Sequence, residues 1–288
     1  MVKISKVGLF GKFNDNSVAD AITEVKNFLE RKQLSVLLGN TTADKIQGDR
    51  IDNYDGPLGE LIDLAIVVGG DGTMLNAARL LSDHAIPAIG VNLGRLGFLT
   101  DISLHELEPS LTAVLEGKCY VELRTMLQCR VLEERKEMFS GISLNDIVIS
   151  KGNSGRLIEF ETRVNRQYIA HTRSDGLILS TPTGSTAYAL SAGGPIISPG
   201  LPVISMAPIC PHTLSNRPII LNENDEVVIS ALKVRESNAN LILDGVISYH
   251  LNGRETITVQ RAPKKLRMMH MEGFNYFETL RSKLGWTG

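Results

Sequence analysis

Residues 61–81, LIDLAIVVGGDGTMLNAARLL, decide how the first half of the chain is read. The run Leu64-Ala65-Ile66-Val67-Val68 is short, uninterrupted, rich in β-branched residues and closed by Gly69, the pattern of a strand buried on both faces. From Thr73 the apolar spacing turns helical, at Met74, Ala77, Ala78 and Leu81. A strand, a glycine turn and a helix in that order present free N–H groups where the helix dipole favours an anion. Asp71 lies inside that turn, and an acid beside a phosphate cradle is electrostatically costly. It either takes a proton or holds a cation, or it only caps the helix or tightens the turn. The dinucleotide fingerprint G-x-G-x-x-G would need glycine at Leu75, and G-x-x-x-x-G-K-[ST] is absent; Gly8-Leu9-Phe10-Gly11-Lys12-Phe13 has the wrong spacing for it.

Outward from this unit the same alternation continues. Strands are expected at Lys3–Phe10, Leu34–Leu38 and Ile86–Val91, and helices at Ser17–Arg31 and Leu104–Leu115. The polar stretch 41–59 reads as a loop. Strand–helix alternation implies a parallel sheet with right-handed crossovers. The glycine-rich segment 90–99, GVNLGRLGFL, then falls at the carboxyl edge of that sheet, where ligands of open α/β sheets bind, or else is a plain tightly packed connection.

Near Tyr120 the texture changes. Val121–Val131, Glu137–Ser150, Arg156–Val164 and Gln167–Ser180 alternate as strands do, with a turn at Asn153-Ser154-Gly155. The expected organisation is a Rossmann-like α/β domain over 1–119, a mostly β, sandwich-like domain over 120–270, and a C-terminal segment, 271–288. The helix in that segment, Tyr276–Leu284, packs back on the first domain.

The second concentration of chemistry is 171–195, HTRSDGLILSTPTGSTAYALSAGGP. Ser180, Thr181, Thr183, Ser185, Thr186, Tyr188 and Ser191 offer seven hydroxyls among small residues, which suits a ligand rich in ribose and amide groups. The alternative is a loop whose Ser and Thr make local turns. Asn145-Asp146 interrupts an apolar segment and must find partners. Arg173 and Asp175 flank Ser174 and read equally as turn residues or a surface ion pair. The Met268-Met269-His270-Met271 cluster reads as core filling rather than a metal site.

Composition narrows the class. The chain has 288 residues, 43% hydrophobic and 22% charged, which is ordinary for a globular protein. Lys+Arg 30 against Asp+Glu 32 leaves a net charge of −2, so there is no basic footprint for nucleic acid. Three widely spaced cysteines and six histidines form no disulfide framework, zinc pattern or H-E-x-x-H pair. No signal-peptide core and no apolar run near about 18 residues is present, so a cytoplasmic protein without membrane attachment is expected.

Taken together the chain resembles the bacterial NAD kinases. The resemblance rests on Gly69-Gly70-Asp71-Gly72-Thr73, Gly94-Arg95-Leu96-Gly97-Phe98-Leu99, Leu144-Asn145-Asp146, and Asp175-Gly176-Leu177 running into Thr181-Pro182-Thr183-Gly184-Ser185-Thr186-Ala187-Tyr188. Ser191-Ala192-Gly193-Gly194-Pro195 and Pro211-His212-Thr213-Leu214 also fit. The GGDG loop is shared with lipid kinases and phosphofructokinases; the TPTGSTAY stretch is more specific. The resemblance implies phosphorylation of the adenosine-ribose 2′-hydroxyl of NAD by ATP with a divalent ion, Mg²⁺, giving NADP.

It further implies Asp71 as catalytic base and, with Gly72, as an NAD contact. Gly69, Gly70, Gly72 and Thr73 would hold the ATP phosphates. Asn145 and Asp146 would bind sugar and adenine groups, and Arg156, Arg173 and Asp175 would lie around the diphosphate and nicotinamide. Thr186, Ala187, Tyr188, Ala189, Leu190 and Ser191 would line the adenine side. A homodimer or homotetramer is implied by analogy. Two positions depart from the commonest pattern: Asp146 stands where Glu is frequent, and Asp244-Gly245-Val246 reads as strand, with a valine that offers no polar contact. The competing readings are a lipid kinase, for which no basic amphipathic helix is seen, and a non-catalytic dinucleotide-binding regulator.

Overall fold

The computed structural model of the chain describes residues 4–11, 16–39, 46–94, 97–152, 156–233 and 239–286. Arg95, Leu96 and the expected turn at 153–155 lie outside the described residues, as do 40–45 of the expected loop. The chain divides into two compact units, Met1–Leu123 with Leu266–Gly288, and Arg124–Lys265.

The first unit is built on a seven-stranded sheet. Its order is Ser35–Leu38, Lys6–Gly11, Leu64–Val68, Pro87–Asn92, Leu266–Met271, Cys119–Arg124, with Ile102–Ser103 paired beside Pro87–Asn92. Ser35–Leu38, Lys6–Gly11, Leu64–Val68 and Pro87–Asn92 pair in parallel, each with the next, as the strand–helix alternation predicts. Leu64–Val68 is buried at every residue. Leu64, Ile66 and Val68 share a core with Val18, Ile22, Val25, Phe28 and Leu29, the apolar stripe of the helix Asn16–Arg31. The alternate residues Ala65 and Val67 point to the opposite face. The helix Asp71–Asp83 packs against this strand, with Met74, Ala77, Ala78 and Leu81 buried. Each large aliphatic side chain buried in this way contributes about 1.5–3 kcal/mol, so a polar residue at Ile66 or Met74 would undo the layer.

Two expectations are corrected here. The strand Leu266–Met271 pairs in parallel with Pro87–Asn92 and belongs to the first unit, as does Cys119–Arg124, so the β domain does not span 120–270. No strand was read at 266–271 from the sequence, and its partner strand lies about 180 residues earlier. The helix expected over Leu104–Leu115 begins as a single 3-10 turn, Leu104–Glu106, and is α-helical from Leu107. The C-terminal helix Tyr276–Leu284 lies in the first unit; the Asn275 side chain caps it by accepting from Phe277 N (3.0 Å).

The second unit stacks two six-stranded sheets. One runs Ile219–Asn222, Val203–Ile209, Gly176–Ser180, Asp146–Ser150, Ala239–Leu243, Val246–Leu251; the other runs Gln167–Ser174, Ile158–Val164, Val227–Lys233, Thr256–Arg261, Leu127–Glu133, Lys136–Ser143. The neighbouring strands pair antiparallel. Their facing residues, among them Leu127, Ile147, Phe160, Leu177, Leu179, Ile229, Leu241 and Val259, form one core, as a sandwich requires. The long segments expected at Glu137–Ser150 and Gln167–Ser180 are each two strands, broken at Leu144-Asn145 and at Asp175. Both breaks fall at candidate residues.

Candidate functional site

In the first unit the candidates gather at the carboxyl ends of the parallel strands, where such sheets bind ligands. Gly69 has φ +150°, and a Cβ there would lie 2.4 Å from Thr73 Oγ1, so the threonine closes over a glycine that packing and backbone both demand. Gly70 and Gly72 differ. Both are exposed, and a Cβ at either would meet nothing within 4 Å. Neither has the backbone that restricts a position to glycine, since Gly70 sits at φ −103°. Nothing in the unit itself requires their bareness. The Thr73 and Met74 amides close onto Gly70 O, while the amides of a helix's first residues have no intrahelical acceptor and face outward.

Asp71 is the first residue of the helix, follows the N-cap Gly70, and is half-buried. Its partners come from the loop after Pro87–Asn92: Phe98 N donates to Oδ2 (3.0 Å) and Leu99 N to Oδ1 (2.9 Å). Each carboxylate oxygen thus accepts one amide and keeps its other lone pair. Gly97 makes this approach possible, since a Cβ there would stand 2.1 Å from Asp71 Oδ1. The loop is itself stapled: Thr100 Oγ1 accepts from Asn92 Nδ2 (2.9 Å) and Gly97 N (3.1 Å), and Asp101 N donates to Gly90 O (3.1 Å). The Tyr276 ring lies beside Phe98, with centroids 6.5 Å apart. Neither cap nor turn describes Asp71; it fastens a second loop to the glycine turn. Sequence reading missed this because the donors are backbone amides 27 and 28 residues away. A groove of about 1090 Å³ opens at the other, amino ends of the strands, lined by Leu34, Ile62, Pro87 and Leu115 among others. It is remote from this chemistry by the geometry of the strands.

In the second unit the candidates fall into two groups. Asn145 and Asp146 begin the strand Asp146–Ser150, and Asp146 is paired in register with Ser180. The loop before them is held by Asp244. Its carboxylate accepts from Ser143 Oγ and from the amides of Leu144 (3.1 Å), Asn145 (2.8 Å) and Asp146 (3.4 Å). Asp244-Gly245 is not strand, as expected, but the turn of a hairpin, with φ +49° and +78°. Asp-Gly is the dipeptide that such turns favour, a signal available in the sequence. Gly184 packs on the same loop, where a Cβ would come within 2.1 Å of Asn145 O. Asp146 is buried, and burial, with the neighbouring negative charge of Asp244, pushes its carboxyl up to about 7. Near neutrality it can donate or accept a hydrogen bond.

The row of seven hydroxyls divides. Ser180, Thr181, Thr183 and Ser185 are buried. Thr181 Oγ1 donates to Leu144 O (2.6 Å), and Ser185 Oγ donates to Pro182 O (2.6 Å) while accepting from Ile197 N (3.0 Å). Ser185 to Pro182 is a local turn of the alternative reading, whereas the bonds to Leu144 and Ile197 tie the segment to distant backbone. Thr186, Tyr188 and Ser191 keep exposed surface, and Leu190 is half-buried. Ala187 is half-buried, and Ala189 is wholly buried with Val148, Ile178, Ala207 and Ile209, so its methyl serves packing.

In the other group, Arg173 and Asp175 lie just before Gly176–Ser180, at least five strand steps of ~3.3 Å from the Asp146 end, and Arg156 precedes the strand Ile158–Val164 in which Glu159 is paired with Arg173. Asp175 Oδ1 pairs with Lys151 Nζ (2.6 Å) and Arg173 Nε with Glu159 Oε1 (3.1 Å), while Arg156 is exposed. The surface ion pairs of the alternative reading are therefore present. Met268 and Met269 are buried in the sheet, and the described residues hold no group of three or more His, Cys, Asp or Glu able to hold a metal ion. Among them, too, no helix is long and apolar enough to cross a membrane.

Comparison with known proteins follows the same division. Residues 7–119 match the model of the ATP-NAD kinase N-terminal domain, and residues 144–271 that of the ATP-NAD kinase C-terminal domain. A protein named NAD kinase from Pseudomonas putida (strain W619) is 44% identical over 287 residues, covering 99% of this chain and 97% of its own. Among solved structures, yeast NADH kinase complexed with NADH superposes with a TM-score of 0.88 at 27% identity, covering 100% of this chain and 89% of its own. An NAD kinase from Archaeoglobus fulgidus in complex with ATP gives 0.73 at 25% identity, covering 98% and 100%.

Proposed function

The chain belongs to the ATP-NAD kinase family, and from that premise we propose how its own residues phosphorylate the adenosine-ribose 2′-hydroxyl of NAD with ATP. The observation that carries the reading is Asp71: a carboxylate at a helix start, oriented by the Phe98 and Leu99 amides, with a lone pair free on each oxygen. The 2′-oxygen attacks the γ-phosphorus, its proton passes to Asp71, the bond to ADP breaks, and ADP leaves with its electron pair. A ribose hydroxyl is a poor nucleophile, and a positioned base contributes about 10²–10⁴-fold.

Gly69, Gly70, Gly72 and Thr73 hold the triphosphate: the amides of Gly69 and Thr73 already donate to Val91 O and Gly70 O, so Gly70 and Gly72 supply the approach, and their bareness is what a closely approaching phosphate requires. Magnesium would arrive with the ATP substrate and would supply neutralisation of phosphate charge as the phosphoryl group transfers. Asn145 and Asp146 bind sugar and adenine groups of the dinucleotide. Arg156, Arg173 and Asp175 lie toward its diphosphate and nicotinamide, and contact there requires their present ion pairs to exchange for ligand. Thr186, Tyr188 and Ser191 offer side chains to the adenine; Ala187, Ala189 and Leu190 contribute backbone. A cytoplasmic homo-oligomer completes the proposal.

The test is purified protein with ATP, Mg²⁺ and NAD, assayed for NADP. Asp71→Asn should bind NAD within a few-fold of wild type and lose turnover by about 10²-fold or more. Product formed only from a lipid alcohol would overturn the assignment of substrate, and near-normal turnover of Asp71→Asn would overturn the role of the base.

A further inference from the structure

His270 lies fully buried in the strand Leu266–Met271 with a carboxylate at each ring nitrogen. Nδ1 meets Asp101 Oδ2, and Nε2 is 3.1 Å from Glu122 Oε2. Phe274 stacks on the ring at 4.2 Å and 13°, and the Tyr120 ring lies 5.5 Å away. The helices packed on the same strand, Asp71–Asp83 and Leu107–Leu115, carry Arg79, Asp83 and Glu108. A neutral imidazole has one N–H and can donate to one carboxylate only; both contacts are hydrogen bonds when the ring is an imidazolium.

Asp101 closes the loop whose Phe98 and Leu99 amides hold Asp71. Besides the two amides on the Asp71 carboxylate, the loop is stapled by neutral groups, the Thr100 hydroxyl to Asn92 and Gly97 and the Asp101 amide to Gly90. The Asp101 carboxylate is where a charge in the sheet grips the loop. We propose that His270, as an imidazolium clamped between Asp101 and Glu122, is a positioning residue for phosphoryl transfer. It fixes the 97–101 loop and, through the two amides, aims the Asp71 carboxylate. The inference rests on Asp71 as proton acceptor. It adds a group that touches neither substrate nor reacting atoms, and a displacement of about 1 Å at such a distance from the chemistry costs on the order of 10²-fold.

The test uses Asp101→Asn, which keeps the shape and removes the charge, and His270→Gln, which keeps one donor; if His270→Gln fails to fold, Asp101→Asn decides alone. Turnover should fall by about tenfold or more, with KM for NAD within about threefold of wild type. Hydrogen exchange at Phe98 and Leu99 should accelerate relative to the rest of the sheet, and both ring nitrogens of wild-type His270 should show imidazolium ¹⁵N shifts at neutral pH. In an Asp71→Asn background, Asp101→Asn should change turnover by less than about twofold, because the group it acts through is gone. The proposal is overturned by folded Asp101→Asn with wild-type turnover, by an equal fall in both backgrounds, by unchanged exchange at Phe98 and Leu99, or by a neutral His270 ring. Wild-type turnover in Asp71→Asn alone would instead refute the base, leaving the exchange measurement to judge the clamp.

Discussion

Replacing Gly72 by alanine sets what the fold tolerates against what a phosphate needs. The new methyl meets nothing within 4 Å, and Gly72 lies in the first turn of the helix Asp71–Asp83. Glycine in a helix is less stable than alanine by about 0.5–1 kcal/mol, chiefly because its unfolded chain is freer. Gly72→Ala should therefore raise the melting temperature by about 1–4 °C. The same methyl stands beside the amides to which the triphosphate is assigned. A charge-assisted hydrogen bond needs N···O of about 2.7–2.9 Å, and a carbon in that approach holds the oxygen back. Losing one such bond costs about 1.5–3 kcal/mol, or roughly ten- to a hundredfold in kcat/KM for ATP. Thermal unfolding and NADP formation at limiting ATP, measured on one preparation, read both halves. A Gly72→Ala protein that binds and turns over ATP normally, or one that melts lower, would refute the reasoning that a ligand keeps this position bare.

Gly97→Ala should do the reverse and harm both properties. Its Cβ would sit 2.1 Å from Asp71 Oδ1 and 2.6 Å from Thr100 Oγ1, so turnover should drop by about 10²-fold and stability by about 1–3 kcal/mol, read by kinetics and urea unfolding. For Asp146 the folded carboxyl titrates at about 7, raised by burial and then by Asp244, against roughly 3.9 when unfolded. Between those values the unfolded chain has lost a proton that the folded one keeps. This group's contribution therefore falls as pH rises, by up to about 1.4 kcal/mol per pH unit, and levels off above about pH 7. Asp146→Asn should thus be more stable relative to wild type at pH 8 than at pH 5, and an equal difference at both would contradict the buried ionisation. Asp244→Ala removes the acceptor of four donors and should cost about 2–4 kcal/mol in urea unfolding and raise KM for NAD about tenfold; unchanged KM would dissociate the 143–146 loop from dinucleotide binding.

Much of the fold was legible because one-dimensional signals were strong. The apolar run Leu64–Val68 and the helical spacing after Thr73 each admit one reading, and the structure has the strand and helix there. What could not be read was long-range partnership. Nothing near Asp71 announces that Phe98 and Leu99 will donate to it, and nothing near Asn145 announces Asp244, about a hundred residues later. The hydroxyl count misled for a related reason. Thr181 and Ser185 look as available as Tyr188 in the sequence, and only the fold shows that they are buried with their hydroxyls spent on the Leu144 and Pro182 carbonyls. The strand Leu266–Met271 was not read from the sequence, because its Met268-Met269-His270-Met271 cluster shows no alternation and nothing local names Pro87–Asn92 as its partner.

That strand also gives the nascent protein a timetable. A ribosome working from the N-terminus delivers residues 266–271 only after all of 124–265, a delay of roughly 7–28 s at ~5–20 residues per second. Throughout that interval the Pro87–Asn92 edge awaiting the strand lies open to unwanted pairing, and chaperone cover matters most then. Stalled or truncated translation products that end before Leu266 would carry the glycine turn and the whole second unit yet be aggregation-prone. Completion of the first sheet thus waits on synthesis of the whole second unit.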